Sequence, residues 1–309
     1  MILLPPREYV RSPEAAAERY TTAEAEAYTR WLATHHYENF QVVSFLLPKR
    51  LHQDFYNVYA YCRWADDLGD EMGSPAESLR LLAWWREQLE AMYAGETAHP
   101  VFVALRGTVR RHSIPQEPFA HLIRAFEQDQ TVTRYATWED VYAYCRYSAN
   151  PVGRLVLYLC GYSDAERQRL ADATCTALQL ANFWQDVAVD LEKDRVYIPL
   201  EVLARHGSTL EDLRARRMTP AFRAAMREIV ARARALFVEG LPLSTMVDRR
   251  LALDIDLFSR GGMRVLDKIA EQDYDVLSRR PAISKPERVW LLLGSIMRTA
   301  ARMALSRAA

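Results

Sequence analysis

The sequence lacks net charge and is poor in glycine and proline. Its 309 residues include 40 basic and 40 acidic side chains, so no overall field attracts nucleic acid or an anionic membrane, although local patches remain open. The 11 glycines and 14 prolines are too few for a collagen-like or low-complexity protein. Because 50% of the residues are hydrophobic, the composition also excludes a disordered chain.

Cysteines and long apolar runs are scarce as well. The four cysteines form no CxxC pair and no regular pattern, which predicts small buried thiols rather than disulfides or a zinc site. They are Cys62, Cys145, Cys160 and Cys175. No run approaches the ~18 apolar residues of a membrane span, and the first 16 residues lack the apolar core of a signal peptide. We therefore expect a cytoplasmic protein.

Helix signals dominate what is present. A Ser or Thr precedes early acidic residues at 12–14, 74–77, 137–140 and 163–166, which is typical of capped helix starts. Apolar residues then recur at three- and four-residue steps, as at Leu79, Leu82, Trp85, Leu89 and Met92. Alternating strand patterns and internal repeats are absent. The sequence predicts an all-α protein with one domain over residues 1–309, of which 1–11 form an irregular segment.

A first acidic cluster lies near the end of a helix predicted to begin near Pro48. Asp66 and Asp70 are four residues apart and share a helix face with Arg63 and Tyr59. Like charges at this spacing destabilise a helix by a few tenths of a kcal/mol, so a bound cation explains them well. The cluster consists of Asp66, Asp67, Asp70 and Glu71.

A second polar stripe follows about 120 residues later. Asn182, Asp186 and Asp190 are spaced four residues apart, with Gln179 a turn earlier, and the residues between them are mostly apolar. Buried carboxylates need a partner or a metal, and oxygen ligands suit Mg²⁺. A solvated helix face is the alternative for each stripe alone. If the two helices face each other, the sequence predicts a magnesium-clamped diphosphate site.

In order and spacing, these motifs resemble the squalene/phytoene synthase family of head-to-head trans-isoprenyl diphosphate synthases. The matching segments are residues 59–63, 66–71, 144–153, 179–190 and 194–199. Residues 36–40, 144–154 and 182–186 are most similar to the HpnC type, the hydroxysqualene synthases of the bacterial hopanoid pathway.

The resemblance implies an isoprenoid synthase fold, a single helical bundle around a central cavity. It also implies two or three Mg²⁺ ions and a diphosphate that leaves to give a carbocation. The implied metal residues are Asp66, Asp67, Asp70, Glu71, Asn182, Asp186 and Asp190. The implied catalytic residues are Tyr59, Arg63, Asp66, Asp70, Tyr144, Gln179, Asn182, Asp186 and Asp190. The implied substrate-binding residues are His36, Tyr37, Asn39, Phe40, Tyr59, Arg63, Tyr144, Ser148, Gly153, Gln179, Arg195, Tyr197, Tyr274 and Arg279.

The chain departs from the family pattern at positions suited to phosphate binding. Tyr37 stands where the resemblance leads us to expect Ser, Gln185 where it leads us to expect Arg, and Val189 where it leads us to expect Glu. Residues 150–151 are Asn-Pro where the family has a Gly-rich pair. Loss of a cation and a small hydroxyl favours a site for one diphosphate. The hypothesis is a hydroxysqualene synthase that ionises presqualene diphosphate and captures the rearranged cation with water.

Two alternatives remain at this stage. The first is a presqualene diphosphate, squalene or phytoene synthase that condenses two prenyl diphosphates such as farnesyl diphosphate. The second is a non-catalytic helical scaffold, which would be expected to lose an acidic motif. We expect no nucleic-acid partner. Because a C30 product is insoluble in water, we also expect hand-over to other squalene-pathway enzymes and peripheral contact with the inner face of the membrane through residues 241–246 or 289–297.

Overall fold

The computed structural model describes residues 2–35 and 48–308, with side chains up to residue 298. In this part of the chain there is no strand, only an isolated bridge between Arg134 and Val196. Two short 3-10 helices, Lys49–Leu51 and Leu241–Thr245, accompany the α-helices. The α-helices are α1 (Pro6–Tyr9), α2 (Pro13–Ala17), α3 (Thr22–His35), α4 (His52–Asp70), α5 (Pro75–Ala94), α6 (Pro100–His112), α7 (Glu117–Asp129), α8 (Trp138–Ser148), α9 (Asn150–Leu159), α10 (Ala165–Gln185), α11 (Val187–Glu192), α12 (Leu200–His206), α13 (Leu210–Arg214), α14 (Pro220–Gly240), α15 (Arg249–Glu271) and α16 (Lys285–Ala308). The all-α prediction is confirmed.

Three of the predicted helix starts carry the expected caps. The Ser12 hydroxyl accepts a hydrogen bond from the Ala15 backbone N–H at the start of α2. The Ser74 hydroxyl does the same for Glu77 at the start of α5. Thr137 and Asp140 satisfy each other's backbone N–H groups in a capping box at the start of α8. These bonds satisfy donors that a helix start leaves unpaired, which is why the signal can be found in sequence.

Contacts within the chain group into two compact units, and each is described by itself. The first comprises Met1–Val132 and Pro151–Asp164. In it α4 packs against α3, α5, α6 and α7. Its aromatic core includes Trp64 stacked on Trp85, with ring centroids 5.0 Å apart, and Phe102 and His99 beside them. Burial of these large rings orients α4, which carries the first acidic cluster at its end.

One local prediction in the first unit is wrong. Residues 1–11 are not irregular throughout, because α1 forms there and Tyr9 is buried with its ring against Trp64. The Tyr9 hydroxyl donates to the Ala15 carbonyl at 2.9 Å, so the burial of one ring fixes this segment. On α5 most of the apolar residues at three- and four-residue steps are buried, whereas Leu79 is 36% exposed and Leu81 is buried.

The second unit comprises Thr133–Asn150 and Ala165–Ala309. Here α10 packs against α14 and α15, and α15 packs against α16. A Cβ at Gly262 would overlap the Phe237 ring, and one at Gly240 would overlap the Thr174 hydroxyl. These glycines therefore permit α15 to approach α14 and the end of α14 to approach α10. This packing positions α10, which leads into the second motif.

The remaining predictions about the fold concern the cysteines, the number of domains and membrane-spanning helices. The four cysteines are free thiols, but only Cys145 is fully buried and the other three are half-buried. The prediction of one domain over residues 1–309 stays a prediction. Of the helices described, none combines the length and hydropathy that crossing a bilayer requires.

Candidate active site

The first acidic cluster lies at the C-terminal end of α4 and is organised by one arginine. Arg63 contacts Asp66 at 3.3 Å and Glu71 at 3.2 Å, and its Nη2 also pairs with Asp67. Asp67 is buried, Asp66 is half-buried, and Asp70 and Glu71 are exposed. The structure therefore brings Arg63 and three of the predicted acids together. These ion pairs are local, since Arg63 precedes Asp66 and Asp67 by three and four residues.

The electrostatics of this cluster are dominated by burial. Burial raises the pKa of Asp67 to about 7, although Arg63 opposes the shift, and Glu71 adds to it. Burial alone would lower the pKa of Arg63, but Asp67 and Asp66 outweigh it and raise the pKa overall. One guanidinium thus faces three carboxylates. The cluster has more negative charge than its own cation neutralises.

The second motif lies where a helix breaks. α10 ends at Gln185 and α11 begins at Val187, with Asp186 between them. The Asp186 N–H still bonds the Asn182 carbonyl at 2.9 Å, and the Asp190 N–H bonds the Asp186 carbonyl at 2.8 Å. The four-residue step between the three side chains is therefore kept through the break.

The sequence-based picture of this motif needs two corrections. It is not one continuous helix, and its surroundings are not uniformly buried. Phe183, Trp184 and Val187 are buried, but Val189 is 42% exposed and Asn182 is exposed. The helix is interrupted at Asp186, whose φ of −105° and ψ of 14° are not helical, and the pattern of one continuous helix does not match which side chains are covered.

The surroundings of Asp190 favour the protonated, neutral form of its carboxyl group. Its burial and the nearby charge of Asp186 raise the pKa of Asp190 to about 7, while Arg195 and Lys193 act in the opposite direction. The Arg195 backbone N–H also donates to the Asp190 carbonyl at 2.8 Å. The positive charges near Asp190 therefore do not fully offset its burial and the charge of Asp186 one turn away.

An arginine that the sequence analysis missed contacts this motif. Arg280 donates to both carboxylate oxygens of Asp186, through Nε and through Nη2, the second at 3.2 Å. The buried Gln185 side chain donates from Nε2 to the Pro281 carbonyl at 2.6 Å and so anchors the next residue. The family resemblance pointed to Arg279, whose role stays a prediction. The adjacent arginines were the only signal, since spacing does not reveal which one turns toward Asp186.

The segment that carries Arg280 is fixed by further hydrogen bonds. Gln272 Nε2 donates to the Asp275 carbonyl at 2.7 Å and to the Arg279 carbonyl at 3.0 Å. The Ser278 N–H donates to Asp275 Oδ1 at 3.0 Å. These bonds, together with Gln185, hold the backbone on both sides of Arg280. Its contact with Asp186 is therefore part of an ordered segment.

Four buried aromatic rings pack together in the second unit, and one of them, Phe183, directly follows Asn182 in the sequence. Phe183 and Tyr197 stack with centroids 3.7 Å apart and planes at 3°, and Tyr144 lies 6.0 Å from Phe183 and 5.8 Å from Tyr197. Tyr135, which the sequence analysis did not name, stacks on Tyr197 at 5.5 Å. Two predicted residues, Tyr144 and Tyr197, are thus brought together. We refer to these four residues as the aromatic cluster.

The other predicted residues occupy varied places. Tyr59 lies half-buried on α4, Gln179 half-buried on α10, Ser148 half-buried at the end of α8, and Gly153 within α9. Tyr274 follows α15 in the left-handed region, with the Arg227 guanidinium 5.3 Å from its ring centroid. The predicted residues that fall outside the described residues are His36, Tyr37, Asn39 and Phe40.

The donor atoms of both motifs fit Mg²⁺. Over residues 2–35 and 48–308, no group of three or more His, Cys, Asp or Glu side chains is arranged to hold a metal ion. Mg²⁺ does not require such a cage, because it typically binds one or two carboxylates together with substrate phosphates and water. Asp67 and Asp190, each with a pKa raised to about 7, lie in motifs that a divalent cation would neutralise.

Comparison with known proteins gives consistent results. The sequence model of the squalene/phytoene synthase family matches residues 33–287. Phytoene synthase from Thermus thermophilus is 36% identical over 83% of this chain and 87% of its own length. Hydroxysqualene synthase from Rhodopseudomonas palustris is 34% identical over 85% and 89%. The crystal structure of squalene synthase HpnC from Alicyclobacillus acidocaldarius is 46% identical, with a TM-score of 0.79, over 82% of this chain and 95% of that one.

Proposed function

The chain belongs to the squalene/phytoene synthase family, whose members act on prenyl diphosphates in isoprenoid biosynthesis, and we propose that it is a Mg²⁺-dependent hydroxysqualene synthase. Its substrate would be presqualene diphosphate, and its products hydroxysqualene and diphosphate. The identity of 46% with squalene synthase HpnC and of 34% with a hydroxysqualene synthase supports this branch of the family. Its isoprenoid synthase fold agrees with the same assignment.

Gln185 is the observation that carries this choice. The resemblance leads us to expect an arginine before Asp186, and a guanidinium there would bind phosphate oxygens. In this chain the position carries no charge, and the amide is buried and bonded to the Pro281 carbonyl. The position itself therefore offers nothing to a second diphosphate. This favours a substrate with one diphosphate over a pair of prenyl diphosphates.

We assign the metal ligands to both motifs, namely Asp66, Asp70, Asn182, Asp186 and Asp190, with Asp67 and Glu71 nearby. Bound Mg²⁺ supplies positive charge that stabilises the departing diphosphate. Arg63 and Arg280 are each bonded to motif carboxylates, and each guanidinium can exchange that partner for phosphate oxygens, with Arg195 as a further cation. These contacts would lower the free energy of the state in which the C–O bond has broken.

The aromatic cluster is suited to stabilising the carbocation that forms after the diphosphate has left. Ring faces stabilise a cation by about 0.5–2 kcal/mol each, and the buried rings of Tyr144, Phe183 and Tyr197 adjoin one another. The rearranged carbocation would then take up one water molecule and lose a proton to give the alcohol. No electrons are gained or lost, so no reductant is required.

A second candidate is a phytoene synthase-type condensation of two prenyl diphosphates. The identity of 36% with the Thermus thermophilus phytoene synthase favours it. In that case, both leaving groups would require cations, and Arg63, Arg195 and Arg280 would have to serve both. A non-catalytic scaffold is disfavoured because both motifs keep their spaced aspartates, Asp66 and Asp70 in the first and Asp186 and Asp190 in the second.

The substrate test separates these candidates. Purified protein with Mg²⁺ is incubated with presqualene diphosphate alone, with farnesyl diphosphate alone and with geranylgeranyl diphosphate alone, and the lipid products are identified by mass spectrometry. We expect hydroxysqualene from the first and little product from the others. Efficient conversion of farnesyl or geranylgeranyl diphosphate to a condensed C30 or C40 product would contradict the proposal and support the second candidate.

A further inference from the structure

The helix α16 has an inner face held by ion pairs. Glu287 pairs with Arg264 and with Lys268, the latter at 2.7 Å. Arg298 pairs with the fully buried Asp256 at 3.1 Å. These contacts attach α16 to α15 at residues 287 and 298 and fix which side of this part of the helix points outward.

The outer face of α16 is apolar and exposed. Large apolar side chains recur there at one-, three- and four-residue steps, which spans an arc of about 160° at ~100° per residue. Their exposed fractions are Val289 57%, Trp290 71%, Leu292 37%, Leu293 45%, Ile296 41% and Met297 63%. The other candidate segment, residues 241–246, is different, since Leu243 and Ser244 within it are buried. An apolar surface of this kind marks an interaction site.

The exposed charged side chains described on α16 are all positive. Lys285 and Arg288 are exposed, while the acid Glu287 is engaged on the inner face. Residues 288–309 contain no Asp or Glu, and Arg298 among them is engaged with Asp256 on the inner face. An apolar face with cations and no acids complements an anionic lipid surface.

We propose that the outer face of α16, defined by the six exposed apolar residues between positions 289 and 297, docks on an anionic lipid bilayer. The helix would lie in the plane of the interface, as amphipathic helices with basic polar residues do. A second copy of this chain is a poorer occupant, because a symmetric contact sets the same patch against itself and brings cations near cations. The proposal does not depend on which reaction the enzyme performs, although prenyl chains partition into the same bilayer.

Vesicle co-sedimentation tests the apolar contribution, with a matched control in the same unit. Val289 on α16 and Val238 on α14 are both 57% exposed. With phosphatidylcholine vesicles containing phosphatidylglycerol, we expect Val289→Asp to weaken binding at least about tenfold, because a charge replaces a side chain that enters the interface. Val238→Asp should bind as the unmodified protein does. Far-UV circular dichroism and melting of both variants control for folding.

The charge contribution is tested with Arg288→Gln. We expect about fivefold weaker binding to the anionic vesicles, the effect of one cation near such a surface. Binding of the unmodified protein should fall with added salt and be much weaker on phosphatidylcholine alone. Equal loss of binding in the two valine variants, or equal binding to neutral and anionic vesicles, would overturn the proposal. So would a dimer, measured by light scattering, that Val289→Asp converts to a monomer, because a second copy would then cover the face.

Discussion

The two acidic motifs obtain their positive charge in different ways. At the first, Arg63 lies on the same helix as the acids and within four residues of Asp66 and Asp67. At the second, the cation on Asp186 is Arg280, 94 residues away in sequence, beside the Pro281 carbonyl that Gln185 holds. The first pairing is a property of one helix, whereas the second exists only after the unit has folded. Substitutions that remove a proposed Mg²⁺ ligand should therefore have similar effects on activity in the two motifs. Substitutions that remove the arginine partner should differ between them.

The largest effect should come from removing one carboxylate of either motif. We expect Asp66→Ala and Asp186→Ala each to lower diphosphate release from presqualene diphosphate by at least about 10³-fold, because each removes a Mg²⁺ ligand worth several kcal/mol in the transition state. Glu90→Ala, which removes an exposed carboxylate of α5, is the control. Near-normal turnover with helicity intact in either motif variant would remove that residue from the metal site.

The next effect should separate the two adjacent arginines. Arg280→Gln should lower kcat/KM by about 10- to 100-fold, the usual range for losing a charge-assisted hydrogen bond. Arg279→Gln should have a smaller effect, because Arg280 rather than Arg279 contacts Asp186. Steady-state kinetics on both variants decides between them. A larger loss in Arg279→Gln would mean that the two arginines exchange roles once substrate binds.

A smaller effect is expected at the anchor of this segment. Gln185→Ala leaves the Pro281 carbonyl without its donor, which should reduce the free energy of unfolding by about 1–3 kcal/mol. We expect it to lower activity less than Arg280→Gln does, since the guanidinium remains. Urea unfolding and kinetics on the same preparations measure both. If stability is unchanged, the hydrogen bond does not anchor the segment.

The smallest expected effects are on the pH dependence of the free energy of unfolding. Asp254 on α15, which lies outside both motifs, is compared with Asp190. Burial, with a lesser contribution from Asp248, raises the pKa of Asp254 to about 7. The folded state therefore keeps a proton that the unfolded chain loses above about pH 4, so this group's contribution to stability falls as the pH rises from about 4 to 7. Asp254→Asn should flatten that slope and increase stability at pH 7.5 by about 1–2 kcal/mol.

Asp190→Asn should differ from Asp254→Asn in its response to metal. Both substitutions remove a carboxylate whose burial is unfavourable, so both should raise the melting temperature in EDTA. Only Asp190→Asn should reduce the further rise caused by Mg²⁺, because Asp254 lies outside both motifs. Melting curves with and without Mg²⁺ make the measurement. An unchanged Mg²⁺ response in Asp190→Asn would place the metal elsewhere.

The sequence predicted best what depends on neighbours along the chain. The caps at Ser12, Ser74 and Thr137 and the pairing of Arg63 with Asp66 involve residues at most four positions apart. It was wrong where a helix breaks, as at Asp186, and periodicity alone does not decide burial, as the exposed Leu79 shows. The break was not predictable because the four-residue spacing of the polar side chains continues through it.

By itself the sequence determined the all-α class, the composition of both acidic motifs and the family, since helix periodicity and motif spacing are local properties. Tertiary structure alone decided that Arg280 pairs with Asp186 and that Gln185 binds a backbone carbonyl instead of contributing charge. It also decided which apolar segment is exposed, the outer face of α16 rather than residues 241–246. These outcomes depend on which distant surfaces cover each other, and that is set by the packing of whole helices.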